Sequence, residues 1–396
     1  MGIVLNNLKV AAKKNQIVNV YRMDEIFFTG YVYKLDDVDE QLVLRTYDEW
    51  GMPDGMVYLD LTTVYDVEVN DSPDLKHMKR RIDLAELYQF DEIAETDLMP
   101  LNKLANLRLE ILGRSYVDGQ VVMITTYDGN GIAGNYKCVI NSVNSEVVNI
   151  TTVNKMDFAD HQTRSIALSD IVTIEFLGKE LTLLTKNRSL LFGPSLATQQ
   201  ISGGDLSVPA ILDHSKKHHQ LIEVESAADN GYYYIGYVVN YNSEFIIFNL
   251  VNMSGQFGGY VLLRTSMVAS LFTQSDYLTL INHLVAENKA AHTFVEPVLN
   301  ADREFDMTDN ALLALLRQAI KLNRLVRIAQ PKTHGMLGYP LEITPITNQL
   351  VFQEVDDSRE GLEKPVEIHL SNIGELSFGY LEAFFIDDGL KNQREL

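Results

Sequence analysis

The chain has 396 residues, 46% hydrophobic and 9% aromatic, and carries a net charge of −21. That composition suits folded cores, while the acidic excess argues against broad DNA or RNA binding, which needs a positive face to neutralise phosphate. No apolar stretch approaches the roughly 18 residues of a membrane span.

The start, Met1-Gly2-Ile3-Val4-Leu5-Asn6-Asn7, has neither the basic region nor the long apolar run of a secretory leader. Asn6 stands where myristoylation of Gly2 prefers Ser or Thr. Cys138 is the single cysteine, so no internal disulfide can form and a reducing cytoplasm is expected. As a lone thiol inside a strand pattern it reads as an inert core residue.

In chain order, a helix over Leu5–Lys14 leads to strands at Ile17–Val20, Phe28–Val32 and Gln41–Leu44. A fourth strand ends at Leu61-Thr62-Thr63-Val64, whose hydroxyls suit a tight corner into a fifth strand at Tyr65–Val69. A connector helix is expected over Pro73–Tyr88.

The same succession then recurs. Its second occurrence has a helix at Leu98–Gly113, strands at Val121–Ile124 and Glu146–Asn149, the corner Leu168-Ser169-Asp170-Ile171 and a strand at Val172–Phe176. Thr198–Asp205 reads as a flexible linker. The third has a helix at Leu206–His218, strands at Leu221–Val224, Tyr234–Val238 and Glu244–Ile247, the corner Arg264-Thr265-Ser266-Met267, a strand at Ala269–Phe272 and a connector helix at Asp276–Ala290. The fourth opens on the cap Thr308-Asp309-Asn310 and the helix Ala311–Ile320. Strands follow at Leu325–Ile328 and Gln349–Phe352, with the corner Leu370-Ser371-Asn372-Ile373 and a last strand at Glu375–Phe378.

Gly30, Gly134, Gly236 and Gly338 mark the second strands at intervals of 104, 102 and 102 residues. A glycine inside a strand marks a bend, a bulge or a close backbone approach. A period this long means one small domain per copy, with borders near residues 95, 203 and 300. The segments 1–95, 96–203, 204–300 and 301–396 carry net charges of −9, −1, −5 and −6.

A helix followed by five short strands with a bent second strand resembles the Sm-like family. Phe28-x-Gly30, Val32, Asp36, Leu42-Val43-Leu44 and Gly51 stand where that family's first motif has equivalents. The resemblance implies a mainly β protein of four tandem Sm-like, SH3-like five-stranded barrels, each preceded by an α-helix. It also implies a pocket for single-stranded RNA bases, built from an Asp, an Asn four residues on, and an Arg-Gly or Lys-Gly pair. Only Asp36 keeps the Asp; Ile140, Asn242 and Thr344 replace it. The Asn position reads Glu40, Asn144 and Asn348. The pair is replaced by Asp60-Leu61, Ala167-Leu168, Leu263-Arg264 and His369-Leu370. Asn144, Asn348 and His369 are therefore the candidate RNA or ligand residues, although Asn also serves turns by tolerating left-handed backbone.

Other clusters are less specific. Lys76, Lys79, Arg80 and Arg81 could meet phosphate or simply pair with neighbouring carboxylates, and so could Arg317, Lys321 and Arg324. His214, His218, His219 and Asp213 fall short of the three or four ligands at family spacing that mark a zinc site. Tyr232-Tyr233-Tyr234 could stack bases or pack as strand residues. Gly129–Gly134 matches Gly-x-Gly-x-x-Gly by letter but joins two strands. Gly51, Gly55 and Gly258-Gly259 read as ordinary loop glycines.

No catalytic, metal or cofactor constellation recurs across the copies. The expectation is a non-enzymatic cytoplasmic scaffold or adaptor with protein partners and without DNA, membrane or cofactor. The alternatives are a single-stranded RNA binder using the second and fourth copies, and a small-molecule-sensing regulator.

Overall fold

A computed structural model describes residues 2–69, 72–90, 101, 106–128, 131–227, 233–307, 310–331, 335–344, 346–356 and 361–394. The expected border near 95, the cap residues Thr308 and Asp309, Tyr232, Gly129 and most of 98–105 lie outside them. The chain forms two compact units, Met1–Ser195 and Leu196–Leu396. Each holds two of the four copies.

In the first unit, α1 (Gly2–Lys14) precedes β1 (Ile17–Arg22), β2 (Phe27–Asp36), β3 (Gln41–Tyr47), β4 (Pro53–Asp60) and β5 (Val64–Glu68). Then come α2 (Pro73–Tyr88), α3 (Leu107–Asp118), β6 (Val121–Tyr127), β7 (Ile132–Val143), β8 (Val147–Thr152), β9 (Thr163–Ala167), β10 (Ile171–Phe176), α4 (Lys179–Lys186) and α5 (Arg188–Leu191).

The second unit opens with β11 (Gln199–Ser202) and α6 (Val208–His218). Next are β12 (Ile222–Ser226), β13 (Tyr233–Tyr241), β14 (Phe245–Val251), β15 (Phe257–Arg264), β16 (Val268–Gln274) and α7 (Asp276–Ala291). It ends with α8 (Ala311–Leu322), β17 (Val326–Ala329), β18 (Met336–Thr344), β19 (Gln349–Asp356), β20 (Gly361–Leu362), β21 (Val366–His369), β22 (Glu375–Phe378) and α9 (Leu381–Arg394).

The leading helices form for the expected reasons. Val4, Leu8 and Ala11 put one buried stripe on α1. Asn310 caps α8, its side-chain oxygen accepting from the Leu313 N–H at 3.0 Å. The hydroxyl-rich corners are 3-10 turns at Leu61–Thr63, Leu168–Asp170, Thr265–Met267 and Leu370–Asn372.

The strands do not form four separate closed barrels. They make two open antiparallel sheets, of 10 and 12 strands. The first runs β5-β1-β2-β3-β4-β10-β6-β7-β8-β9, and the second runs from β11 through β16-β12-β13-β14-β15-β22-β17-β18-β19, with β20 and β21 both on β19. The physical reason is that a lone copy would leave its fourth strand's backbone groups unpaired. Here the fifth strand of the next copy satisfies them.

The repeat register also needs correcting. Val18 pairs with Gly30, Ile222 with Gly236 and Val326 with Gly338, but the second copy pairs Val122 with Cys138. Each second strand then bulges just past that residue, at Val32/Lys34, Ile140/Ser142, Val238/Asn240 and Pro340/Glu342. Cys138, not Gly134, is thus the counterpart of the other three glycines. The β6–β7 hairpin extends further, and Gly134 lies on that extension opposite Thr126. At Gly30 and Gly338 an added Cβ would lie 2.0 and 2.2 Å from a carbonyl oxygen on the next strand; at Gly134 the nearest atoms it would meet belong to the tip of the Tyr136 side chain.

Two further differences concern the segments between copies. The expected flexible linker at 198–205 contains β11, which pairs antiparallel with β16, Ile201 opposite Leu271. The helices expected as connectors belong to the repeat itself, because a helix follows every fifth strand: α2, α4 with α5, α7 and α9. The sequence did not announce α4 or α9. The first is short, and Asp387-Asp388-Gly389 interrupts the second with poor helix formers. Burial of Leu181, Leu183 and Leu184, and of Phe385, Ile386 and Leu390, stabilises them instead.

Candidate functional site

The chemistry-bearing residues gather at two joints, one per unit, and at the free edges beyond them. In the first unit β4 and β10 pair with Thr173 opposite Leu59 and Phe176 opposite Met56. In the second, β15 and β22 pair with Leu263 opposite Glu375 and Tyr260 opposite Phe378. Each joint joins a fourth strand to the fifth strand of the following copy.

Apolar side chains cross both joints. Val43, Met56 and Tyr58 of the first copy pack with Val122, Ile124 and Ile174 of the second. Phe245, Phe257, Tyr260 and Leu262 of the third copy pack into the core of the fourth.

Polar contacts then fix each joint with matching geometry. The Arg22 guanidinium donates to Thr173 Oγ1 at 2.6 Å and also holds Asp24. At the equivalent positions of the second unit, Ser226 donates to the Glu375 carboxylate, which also accepts from the Tyr234 hydroxyl at 2.6 Å. In both units the donor lies on the first strand of the earlier copy and the acceptor on the fifth strand of the next, so the contact and its direction are retained while the residue types change.

An arginine closes the corner of each joint. Arg108 bonds the Leu168 carbonyl, the Tyr58 hydroxyl (3.0 Å) and the Asp60 carboxylate (2.7 Å). Arg264 donates to the Leu370 carbonyl (3.2 Å), the Ile373 carbonyl (2.7 Å) and Glu244 (2.6 Å). Arg264 also stacks over Phe245 at 4.7 Å.

The candidate pocket residues have local structural roles. Asn144 Oδ1 accepts from the Glu146 and Val147 N–H groups at 2.9 and 2.8 Å. Its counterpart is Asn242, which caps Glu244 and Phe245 in the same way. The residue in the place of Asn348 is Glu146: the Leu168 N–H donates to the Glu146 carbonyl, as the Leu370 N–H does to that of Asn348. Asn348 has left-handed backbone, φ 55°, as does Glu40 at 52°. His369 caps the last corner, its Nδ1 accepting from the Ser371 N–H and lying 2.6 Å from Ser371 Oγ. Asn348 and His369 come together beside the Gln349–His369 pair, whereas Asn144 belongs to the other unit.

The other clusters separate as well. Arg81 is buried, stacks on Trp50 at 4.5 Å and donates to the Glu49 carbonyl, while Lys79 reaches Asp83 at 3.7 Å. Burial, together with Arg81 and Arg80, pushes His77 down to about 4. Burial alone pushes the Cys138 thiol up to about 12. The His214 and His218 rings lie 4.4 Å apart, and among the described residues no group of three or more His, Cys, Asp or Glu could hold a metal ion. Tyr234 serves the joint, and Tyr233 packs edge-on against Tyr277.

Sequence reasoning missed the joints, yet it held a signal for them. Gly51 and Gly55 of the first copy match Gly255 and Gly259 of the third, and all four have φ between 75° and 97°. Gly55 lies against Leu177-Gly178 and Gly259 against Phe378 and Tyr380, in each case the next copy's fifth-strand end. The second and fourth copies lack this pair, which distinguishes the copies that offer a fourth strand at a joint.

Beyond the joints lie the open edges: β5 and β9 in the first sheet, β11, β20 and β21 in the second. The outer side of β16 is covered by β11. Beside β5, Phe27 and Tyr65 are exposed and lie 5.5 and 6.1 Å from the Tyr21 ring. No family model matches the chain, and no curated protein matches it. Among the described residues no helix is long and apolar enough to cross a membrane.

Proposed function

We propose that the protein is a non-enzymatic intracellular scaffold, built from four Sm-like modules joined two by two, whose remaining strand edges recruit protein partners. The observation that carries this reading is the pairing of a fourth strand with the next copy's fifth strand, at β4–β10 and again at β15–β22. Sm-like proteins join protomers into rings through the same two edges. The strand order five-one-two-three-four, repeated within both sheets, supports the module assignment. An edge already used twice inside the chain offers hydrogen bonds to an added strand where it stays open.

The test uses β9, whose Thr163, Arg164 and Ser165 are exposed. Alternate residues of a strand point their N–H groups to opposite sides, so proline at Arg164 or at Ser165 removes an outward donor in one variant. Partners co-purified with the intact chain should be lost in that variant while its thermal unfolding stays near that of the parent. Retention of every partner by both variants, and by equivalent variants of β5, β11 and β21, would refute the scaffold reading.

An RNA reading through Asn144, Asn348 and His369 has less support, because Asn144 and His369 already cap their own turns. Single-stranded RNA that binds at low salt and is weakened by Asn348→Ala would restore it.

A further inference from the structure

The second unit contains a cavity of about 200 Å³ under α8, α9 and the end of β22. Leu315, Ala319, Phe378 and Phe384 give it apolar walls. Arg303 and Arg324 stand on its rim, both exposed. Among the described residues neither guanidinium is in an ion pair or a side-chain hydrogen bond. The carboxylate in the cavity, Asp387, is taken up by the Tyr339 hydroxyl at 2.8 Å and Lys391 at 2.5 Å. Arg327, nearby on β17, is paired with Glu382 at 2.7 Å.

The rim is built on a held backbone. The segment 298–307 is strapped to the third copy by asparagine side chains: Asn249 donates to the Ala301 carbonyl (3.1 Å), Asn240 to Phe305 (2.9 Å) and Asn242 to Met307 (3.2 Å). The Arg303 N–H itself donates to the Tyr260 hydroxyl at 3.1 Å. Tyr260 packs in turn against Phe305 and Phe378, at 5.1 and 5.5 Å between ring centroids. Arg324 follows the α8 cap Asn323, whose left-handed φ of 46° turns the chain sharply.

We infer that this cavity binds a small amphiphilic monocarboxylate, with its apolar body between α8 and α9 and its carboxylate between Arg303 and Arg324. Two uncommitted cations at one mouth depart from the surroundings of a chain with net charge −21, and they match one anionic head. The apolar walls match a hydrocarbon body. The volume sets the size: at about 30 Å³ per water-sized group, 200 Å³ takes about seven such groups, the length of a medium acyl chain. A larger, drug-sized ligand would need about 300 Å³ or more. This site is independent of the strand edges, so it stands or falls separately from the scaffold reading.

The test is a titration of the full chain with sodium octanoate below its micelle-forming range, followed by methyl resonances of Ala319, Ala383 and Leu315. Saturable shifts at those methyls with a Kd on the order of 0.1–1 mM are expected. Acetate, which lacks the body, and 1-octanol, which lacks the charge, should each bind about tenfold more weakly. The double variant Arg303→Gln/Arg324→Gln, altered only at exposed positions, should raise the octanoate Kd about tenfold with unchanged thermal unfolding. Octanol binding as tightly as octanoate, an unaffected double variant, or shifts located away from these methyls would overturn the inference.

Discussion

Glu175 shows how the first joint responds to pH. It lies on β10 opposite Val57, and burial pushes its carboxyl up to about 6, with Asp54 adding repulsion and Arg22 and Lys137 partly offsetting it. A carboxyl whose folded pKa exceeds its unfolded value binds more protons when folded. The fold therefore loses stability as pH rises from the usual glutamate range through about 6. Glu175→Gln should gain about 1–2 kcal/mol at pH 7 and flatten part of that slope, as read by urea unfolding at pH 5 and pH 7. Some slope should remain, because burial also raises Asp48 to about 6. A second residue-scale outcome separates the true repeat position from its neighbour. Gly30→Ala would put a Cβ 2.0 Å from the Arg45 carbonyl oxygen and should cost about 2 kcal/mol or more. Gly134→Ala meets a movable tyrosine tip and should cost less than about 1 kcal/mol in the same unfolding measurement.

At the scale of elements, the joints depend on backbone approach as much as on side chains. Gly259 has φ 97°, and a Cβ there would lie 2.7 Å from that of Tyr380; its neighbour Gly258 has 3.3 Å of clearance to the nearest atom. Gly259→Ala should therefore destabilise the second unit by about 2 kcal/mol or more, and Gly258→Ala by about 1 kcal/mol or less. Thermal unfolding of the fragment 196–396 would measure both. Equal effects would mean that the joint tolerates displacement of β22 from β15. Most element types were legible in the sequence because alternation, caps and the hydroxyl corners are local signals. The strand at 199–202 was not, since Gln-Gln-Ile-Ser carries little strand pattern and only pairing with β16 orders it.

At the scale of the whole molecule, each unit is a pair of copies that share apolar side chains across an internal joint. Fragments 1–195 and 196–396 should each unfold cooperatively when expressed alone, seen as single transitions by circular dichroism. A fragment of the third copy alone, 204–300, should be far less stable. Phe245, Phe257, Tyr260 and Leu262 would lose the fourth-copy core they pack into, and β15 would become an open edge. A stable, cooperative 204–300 fragment would contradict the paired organisation.

The sequence by itself determined the fourfold succession of a helix and five strands, the hydroxyl corners and the inert setting of Cys138, since each depends on neighbours within a few residues. It placed Gly134 wrongly, because counting from glycine to glycine cannot see that one hairpin is longer. It also marked Asn144, Asn348 and His369 without showing that Asn144 and Asn348 are not counterparts. Only the tertiary structure decided how the copies pair, because strand pairing is made by backbone groups that every residue type carries. Arg22 with Thr173, and Ser226 with Glu375, lie about 150 residues apart in the chain and share no residue type, so their equivalence exists only in the fold.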